Sequence, residues 1–338
     1  MRPSARYAVE CRREQREGLA NTLRRGPKPR LSVGTQRGAA LLMAMLLLTL
    51  VATLASGMVW QQWRSVQVEA AERARMQAAW ILNGALDWAR LILREDARSG
   101  RPTALTEVWA TPLAEARLSS FLAADRDNNA DADLDAFLAG SITDAQSRYN
   151  LRNLLKDGKV VPAELAVLAR LCESAGVPGD VAERIAQGLS AAATMGAQSP
   201  MAPRTLAQLE WLDIESSSIE RLQGLVELLP VPTAVNLNTA TATVLSAVIE
   251  GLDSGSAERL VQARQQRAFK VADEARAYIP GTIKLDPNRV GTLSQYFEVR
   301  GRLRMENRIL EERSLVERRS LDITVVLRER VGSVLPRP

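Results

Sequence analysis

The residues best suited to chemistry are the oxygen-bearing side chains of one acidic segment. DRDNNADADLD places carboxylates or amides at alternate positions, namely Asp125, Asp127, Asn129, Asp131 and Asp133. Oxygen ligands at this spacing suit Ca²⁺, which takes about six to eight of them. The segment is not an EF-hand, because Ala130 and Ala136 stand where an EF-hand has its invariant glycine and bidentate glutamate. We therefore predict either a Ca²⁺ site formed by these residues or a solvated acidic turn between strands.

The rest of the sequence offers little for catalysis. It contains no histidine, which excludes imidazole general-base catalysis and histidine-ligated metals. Of the two cysteines, Cys11 precedes the apolar stretch described next and only Cys172 follows it, so we expect neither an intramolecular disulfide nor a thiolate zinc site. No glycine-rich phosphate loop, Ser/Lys pair or Cys/His pair is present. The sequence predicts a protein that is not an enzyme and holds no organic cofactor.

The chain is organised around an apolar stretch from Ala39 to Trp63 that carries no charged residue. A helix rises about 1.5 Å per residue, so about 20 apolar residues cross a hydrocarbon core of about 30 Å. Residues 1–38 carry ten Lys and Arg against three Glu, whereas the first charge after the stretch is Arg64. The positive-inside rule then predicts a single span of a bacterial inner membrane, with the N terminus cytoplasmic and the bulk of the chain periplasmic.

The junction between the basic and apolar segments indicates proteolytic processing. The basic segment ends at Gly38, directly against the apolar stretch, and no A-x-A site follows, whereas a secretory signal peptide is cut behind its apolar core. This arrangement resembles the type III leader of pilins and pseudopilins. The resemblance implies that prepilin peptidase cleaves after Gly38 and methylates the new N terminus at Ala39. A plain signal anchor without this processing is the alternative.

The position where most pilins carry a glutamate is occupied by Met43, the fifth residue from Ala39. In pilins that carboxylate neutralises the N-terminal amine of a neighbouring subunit. A carboxylate in hydrocarbon costs several kcal/mol unless it is paired, so its absence predicts a subunit without such a neighbour. In this respect the chain is similar to the K-type minor pseudopilin of type II secretion, which sits at the fibre tip.

A second segment, SITDAQSRYNLRNLL from Ser141 to Leu155, makes the resemblance specific. It is similar to the I-x-D-x-x-G-R-[FY]-N-L-N-N-L block of the K-type family, although Ser147 replaces the glycine and Arg152 replaces an asparagine. The positions that fit are Ile142, Asp144, Arg148, Tyr149, Asn150, Leu151, Asn153 and Leu154. Further along the chain, PRTLAQLEWLDIESSSIERL followed by LLPVPTAVNLNTA matches the order of segments in that family. The chain is therefore identified as a member of that family over residues 34–330.

Two segments, Ala175 to Gln187 and Glu250 to Gln262, resemble each other and the helix-hairpin-helix unit. Such units often bind DNA phosphates at the glycine turn, which makes a membrane-tethered DNA receptor a competing prediction. The side chains that could contribute are Arg259, Arg264, Arg267 and Lys270. Two features argue against it. First, Asp253 stands where a phosphate would lie. Second, the whole chain has a net charge of +5 and residues 1–38 alone contribute +7, so the rest of the chain has a net charge near −2.

Hydrophobic periodicity defines the domain organisation. Apolar residues recur three or four apart from Trp63 to Ile92 and extend the transmembrane helix (39–63) into a periplasmic stem (64–99). We predict that Trp80 and Trp88 are packing residues; the alternative is an exposed, fibre-facing role, because the face of the stem that its own sheet leaves uncovered must contact other subunits. Alternating runs predict strands in 100–155 and 285–338, whereas the Ala- and Leu-rich segment 156–284 is predicted to be helical. The leader is 1–38. We predict an α+β, pilin-like fold with a long N-terminal helix and an antiparallel sheet, interrupted by an inserted all-α domain with helix-hairpin-helix-like units.

The resemblance also implies a function. The chain would be a minor pseudopilin at the tip of the pseudopilus, where it assembles with I- and J-type minor pseudopilins, helps to initiate the fibre and supports export of folded proteins across the outer membrane. Pseudopilins commonly bind Ca²⁺, which agrees with the acidic segment. The alternatives are a competence-type DNA receptor and a minor pilin of a type IV pilus.

Overall fold

The computed structural model describes residues 37–118, 136–194, 200–305 and 308–333. Contacts divide the chain into two compact units, Met1–Glu69 and Ala70–Pro338. The described residues of the first unit are all helical and belong to helix α1 (Arg37–Arg98), and their described side chains are all exposed. Helix α1 ends at Arg98, next to the end at residue 99 that the glycine and proline signals predict. Gly100 adopts φ +63°, a backbone region that favours glycine, and Pro102 follows.

The strands of the second unit fall into one large sheet and three short pairs. A five-stranded sheet has the order β1-β2-β9-β10-β11, and all its neighbouring strands are antiparallel. The short pairs are β3 with β6, β4 with β5, and β7 with β8. The strand bounds are β1 (Leu113–Arg117), β2 (Ala136–Asp144), β3 (Tyr149–Asn150), β4 (Leu155–Lys156), β5 (Lys159–Val160), β6 (Val226–Glu227), β7 (Val235–Asn236), β8 (Val290–Gly291), β9 (Tyr296–Met305), β10 (Arg308–Arg319) and β11 (Asp322–Ser333).

The C-terminal half of α1 packs on this sheet. Its buried residues recur three or four apart, as one face of a helix requires: Ala78, Leu82, Leu86, Ala89 and Leu93. They meet apolar side chains that alternate along the strands, as one face of a sheet requires: Leu138, Ile142, Phe297, Val299 and Leu303. The predicted combination of a long helix with an antiparallel sheet is confirmed.

A second core lies among helices α2 (Pro162–Ser174), α3 (Asp180–Ala193), α4 (Ser216–Leu222), α5 (Ala242–Val248) and α6 (Ser254–Gln266). We call residues 149–290, whose apolar side chains share this core, the helical insert. Its limits differ from the predicted 156–284. Tyr149, Leu151 and Leu154 belong to the core of the insert, because after β2 the chain leaves the sheet through 3-10 turns instead of continuing as a strand.

Two arginine side chains of α1 hydrogen-bond to carbonyls at the start of β11 and in the turn before it. Arg90 Nε donates to the Ile323 carbonyl at 2.9 Å, and Arg94 Nε donates to the Leu321 carbonyl at 3.0 Å. A register irregularity at Leu315/Val316 further bends the β10–β11 pair. Blocked carbonyls and bulges are the usual means by which an edge strand avoids pairing with other chains.

The helix–sheet contact predicts a matched pair of stability effects. Leu93 is 0% exposed between α1 and the sheet, whereas Leu91 on the same helix is 55% exposed. We expect Leu93→Ala to lower the free energy of unfolding by about 2–5 kcal/mol, because it leaves a cavity in the core. Leu91→Ala should stay within about 0.5 kcal/mol of the wild type. Urea unfolding of the full chain, followed by near-UV circular dichroism, measures both, and equal losses would contradict this packing.

Candidate functional site

The predicted processing junction lies in the first turn of α1. Gly38 and Ala39 are helical and exposed, and a Cβ placed on Gly38 would meet no atom within 4 Å. Met43 is also exposed, and from Ala39 to Trp63 the exposed surface carries no charge. By length and composition, α1 is the one helix of the described residues that could cross a membrane, and its most apolar part is not buried. This fits a single-pass membrane anchor.

Within the second unit, α1 keeps an apolar face that the sheet does not cover. Trp80 is 75% exposed and Trp88 is 50% exposed, and Met76 and Leu91 lie exposed on the same side of the helix. Of the two predicted roles for these tryptophans, packing is therefore not observed and an exposed position is. The sheet covers the stripe of Ala78, Leu82 and Leu86 instead, because only tertiary contact decides which of two apolar faces is buried. The uncovered face, Met76, Trp80, Trp88 and Leu91, is called the stem face below.

The block that carries the K-type resemblance forms the joint between the sheet and the helical insert. Asn150 Nδ2 donates to the Val231 carbonyl at 2.7 Å, and Asn150 Oδ1 accepts from Leu229 N at 3.2 Å. Asn153 exchanges two hydrogen bonds with the backbone of Thr233, at 2.9 and 3.0 Å. Both asparagines therefore satisfy main-chain groups of the 228–233 segment, which forms neither helix nor strand.

Asp144, at the end of β2, is the centre of that joint and is fully surrounded by donors. Its carboxylate accepts from Gln146 N at 2.8 Å, Thr239 Oγ1 at 2.6 Å, Ser294 Oγ at 2.6 Å and Asn236 Nδ2 at 2.9 Å. Burial raises the pKa of Asp144, and the hydrogen bonds from these four groups oppose the rise. The carboxylate connects the sheet to two segments of the chain distant in sequence.

A second buried cluster is ionic. Arg148 Nη2 lies 2.9 Å from Glu227 Oε2 and 3.1 Å from Glu298 Oε2, while Arg313 Nη2 lies 2.7 Å from Glu298 Oε2. Burial by itself raises the pKa of Glu298, but the charges of Arg148, Arg313 and Arg300 outweigh it and hold that pKa below its ordinary value of 4.5. The cluster ties the insert, through Glu227, to Arg148 and to strands β9 and β10.

The two predicted hairpins are formed by α2–α3 and α5–α6. Each turn contains a glycine with positive φ, Gly176 at +65° and Gly251 at +77°. In the second hairpin Asp253 caps α6: its carboxylate accepts from Ser256 N at 2.9 Å and Ser256 Oγ at 2.6 Å, and the hydrogen bonds from Ser256 lower its pKa. An anionic side chain thus occupies the helix N terminus that would hold a phosphate in a DNA complex.

The basic side chains proposed for DNA are also largely engaged. Arg264 is buried and donates to the Leu237 carbonyl at 2.6 Å, and burial lowers its pKa to about 10. Arg259 donates to Ser256 Oγ at 2.6 Å, and Arg267 pairs with Glu274 at 3.3 Å. Lys270 is exposed. The structure does not bring these four side chains together as an open basic surface.

The predicted calcium ligands, Asp125, Asp127, Asn129, Asp131 and Asp133, lie outside the described residues. Among the residues that are described, no group of three or more His, Cys, Asp or Glu side chains could hold a metal ion. The Ca²⁺ site therefore stays a prediction.

Sequence reasoning missed the partners of the recognised block. Asn236, Thr239 and Ser294 complete the Asp144 network, and Glu227 and Glu298 complete the ionic cluster. One signal was available: Asn236, Asn238 and Thr239 are polar residues inside the apolar segment VNLNTATATVL, and all three are buried. Buried polar side chains require hydrogen-bond partners, so they mark a joint.

Comparison with known proteins agrees with this architecture. Residues 235–289 match the family model described as type II secretion system (T2SS), protein K. Type II secretion system protein K of Pseudomonas aeruginosa is 26% identical over 88% of this chain and 91% of its own length, and that of Pectobacterium carotovorum is 26% identical over 88% and 97%. The fold matches a chain of the GspK-GspI-GspJ complex from enterotoxigenic Escherichia coli, with a TM-score of 0.61 and 19% identity over 78% of this chain and 99% of that one.

The ionic cluster predicts a pH-dependent stability. Because the pKa of Glu298 is lowered in the folded state, its stabilising contribution is complete above about pH 4.5 and is lost as the pH falls through the folded-state pKa. We expect Glu298→Gln to cost about 3 kcal/mol at pH 7, since Arg148 and Arg313 would then share the single carboxylate of Glu227, and to cost progressively less below pH 4.5.

Urea unfolding of both chains at pH 7, 5 and 4 measures this difference. Glu258→Gln on the exposed side of α6 serves as the matched control and should change the stability little at any of these pH values. A cost for Glu298→Gln that is the same at pH 7 and pH 4 would contradict the assigned role.

Proposed function

We propose that this chain, which is similar to type II secretion system protein K, works as a minor pseudopilin at the tip of the pseudopilus. There it assembles with I- and J-type minor pseudopilins, helps to initiate the fibre and supports export of folded proteins across the outer membrane. The observation that carries the proposal is α1, a helix whose first part is mostly apolar and uncharged and whose second part keeps the stem face uncovered. Uncovered apolar patches of this kind mark interaction sites.

The proposed partners bind by helix packing. The neighbour with the same fold is part of a GspK-GspI-GspJ complex, and we infer that I- and J-type subunits cover the stem face here. No covalent chemistry is proposed for this chain. In support, Cys172 is buried, and burial raises the pKa of its thiol to about 11, which disfavours the nucleophilic thiolate.

Membrane insertion follows the charge distribution. The basic residues before Ala39 stay in the cytoplasm, the apolar part of α1 spans the inner membrane, and the sheet and the helical insert lie in the periplasm. Trp60 and Trp63 end the apolar stretch, as aromatic residues do at a membrane–water interface. Prepilin peptidase then removes residues 1–38.

The processing step has a direct test in the N-terminal sequence and mass of the membrane-bound chain, taken from cells with and without prepilin peptidase. We expect a chain that begins at N-methylated Ala39 only when the peptidase is present. Gly38→Val should keep the leader even in its presence, because a side chain replaces the hydrogen at the cleavage position. A leader that is retained in both strains would rule out pseudopilin processing.

The stem face predicts a separate loss of assembly. We expect Trp80→Ser with Trp88→Ser to reduce recovery of the I- and J-type subunits at least about tenfold in pull-downs from membranes, because buried tryptophans dominate interfaces. The urea midpoint should stay unchanged, since both side chains are exposed in the isolated chain. Trp211→Ser, at a half-exposed tryptophan of the helical insert, is the matched control. Unchanged recovery with the double variant would place the partners elsewhere.

A further inference from the structure

A cleft of about 290 Å³ lies between the helical insert and strand β11. Leu228 and Leu229 of the insert and Leu315 of β10 form its apolar part, and Val326 and Leu327 of β11 line one side. Leu228 and Leu229 are buried, whereas Val326 is 40% exposed. The apolar part of the cleft is therefore open to solvent along β11.

Two arginine side chains of the insert, Arg152 and Arg204, complete the lining. Neither makes a hydrogen bond or an ion pair with a residue that the structure describes, and none of the residues that line the cleft is acidic. Arg152 is partly buried through its Nε, so its terminal Nη groups are the donors left for a ligand, and Arg204 is exposed. Guanidinium groups match the geometry of carboxylates, so two of them in one cleft without a counter-charge favour an anionic ligand.

The cleft adjoins an open edge of the large sheet. Strand β11 is the last strand of that sheet, and the hydrogen bonds from Arg90 and Arg94 reach only its start and the turn before it. From Thr324 to Ser333 the backbone makes no hydrogen bond with a described residue outside β10. Residues 327–333 pair with β10 in regular register, so their outer edge is an extended row of free N–H and C=O groups. Such an edge binds extended peptides through main-chain hydrogen bonds.

We propose that the cleft and the edge at residues 327–333 bind an extended segment of a partner protein that carries an acidic side chain next to an apolar one. The segment adds to β11 as a further strand, its carboxylate accepts from Arg152 and Arg204, and its apolar side chain enters the cleft at Leu315. The edge makes the ligand a peptide, and the two guanidinium groups make it acidic.

A second copy of this chain does not fit that description. Its own open edge carries one acid, Glu329, between Arg328 and Arg330. Pairing two such edges would bring two positive charges to the cleft for each negative one, and like charges on neighbouring strands are destabilising. The site is separate from the stem face, and isolated peptides test it, so it stands or falls independently of the proposed assembly.

The test measures binding of short peptides to the full chain in phosphatidylcholine nanodiscs by fluorescence anisotropy, with empty nanodiscs as a correction for partition into lipid. The probe is the amidated peptide Thr-Val-Glu-Leu-Thr-Val with an uncharged methoxycoumarin at its N terminus. A second peptide has glutamine in place of glutamate. A third keeps every side chain but has N-methyl groups in place of the backbone N–H hydrogens. A fourth, VLRERV, repeats residues 326–331 of this chain.

We expect the glutamate peptide to saturate with a dissociation constant below about 1 mM. The glutamine peptide should bind about tenfold more weakly, because it loses the charge-assisted hydrogen bonds to the arginines. The N-methylated peptide should show no saturable binding, because it cannot pair with the edge. The VLRERV peptide should bind no better than the glutamine peptide.

Arginine variants place the binding in the cleft. Arg152→Gln with Arg204→Gln should remove the preference for glutamate over glutamine and leave the urea midpoint unchanged, because neither side chain has a partner among the described residues. Arg276→Gln, at an exposed position of the insert, removes a positive charge elsewhere and should leave the preference intact. The proposal is overturned by the absence of saturable binding, by equal binding of the glutamate and glutamine peptides, by full binding of the N-methylated peptide, or by a glutamate preference that survives the double variant. Binding of VLRERV as tight as that of the glutamate peptide would also overturn it and assign the edge to a second copy.

Discussion

The carboxylate of Asp144 is buried at the point where the sheet ends and the helical insert begins, and four donors from three parts of the chain converge on it. A carboxylate that is removed from water without partners is strongly destabilising. The insert can therefore dock on the sheet in few orientations. A small displacement of Asn236, Thr239 or Ser294 would leave the buried Asp144 carboxylate without one of its hydrogen bonds. A fully satisfied polar network of this kind specifies one geometry more sharply than apolar packing does. The neighbouring cluster of Arg148, Glu227 and Glu298 adds a second fixed joint beside it.

Outside these buried joints, α1 carries a continuous uncovered apolar surface. The same helix serves two environments. Its C-terminal half buries one stripe against the sheet and leaves the stem face open, whereas from Ala39 to Trp63 it carries no charged residue. This division agrees with the similarity to type II secretion system protein K. The polar joints hold the insert in a fixed position on the sheet, whereas the stem face offers an uncovered apolar surface for contact.

The parts of this structure that follow from local sequence were predictable, and the parts that depend on distant contacts were not. Gly100 and Pro102 end α1 through backbone preferences alone, and the alternation of apolar and polar residues in 296–331 marks strands without reference to any partner.

Whether Trp80 and Trp88 are buried was not predictable, because periodicity identifies an apolar face but cannot tell which of two faces the sheet will cover. Asp144 was recognised by its place in a block of residues, yet its role depends on Asn236 and Ser294, which lie 92 and 150 positions away. The pairing of Gly140 with Gly301 requires knowledge of strand register, which the sequence does not contain. The calcium ligands and the Gly38–Ala39 junction remain predictions from pattern and resemblance.

The position of the insert also bears on how the protein folds. Strands β2 and β9 are direct neighbours, although Asp144 and Ser294 near their ends are separated by 150 positions. Closing a flexible loop of that length, compared with a short hairpin loop, costs about 3 kcal/mol of additional chain entropy, at about 0.6 kcal/mol for each doubling. An insert that is already folded removes most of this cost, since it holds its two ends side by side. The central strand pair should therefore form late, after the insert, and a mutation deep in the insert would slow completion of a sheet that it never touches.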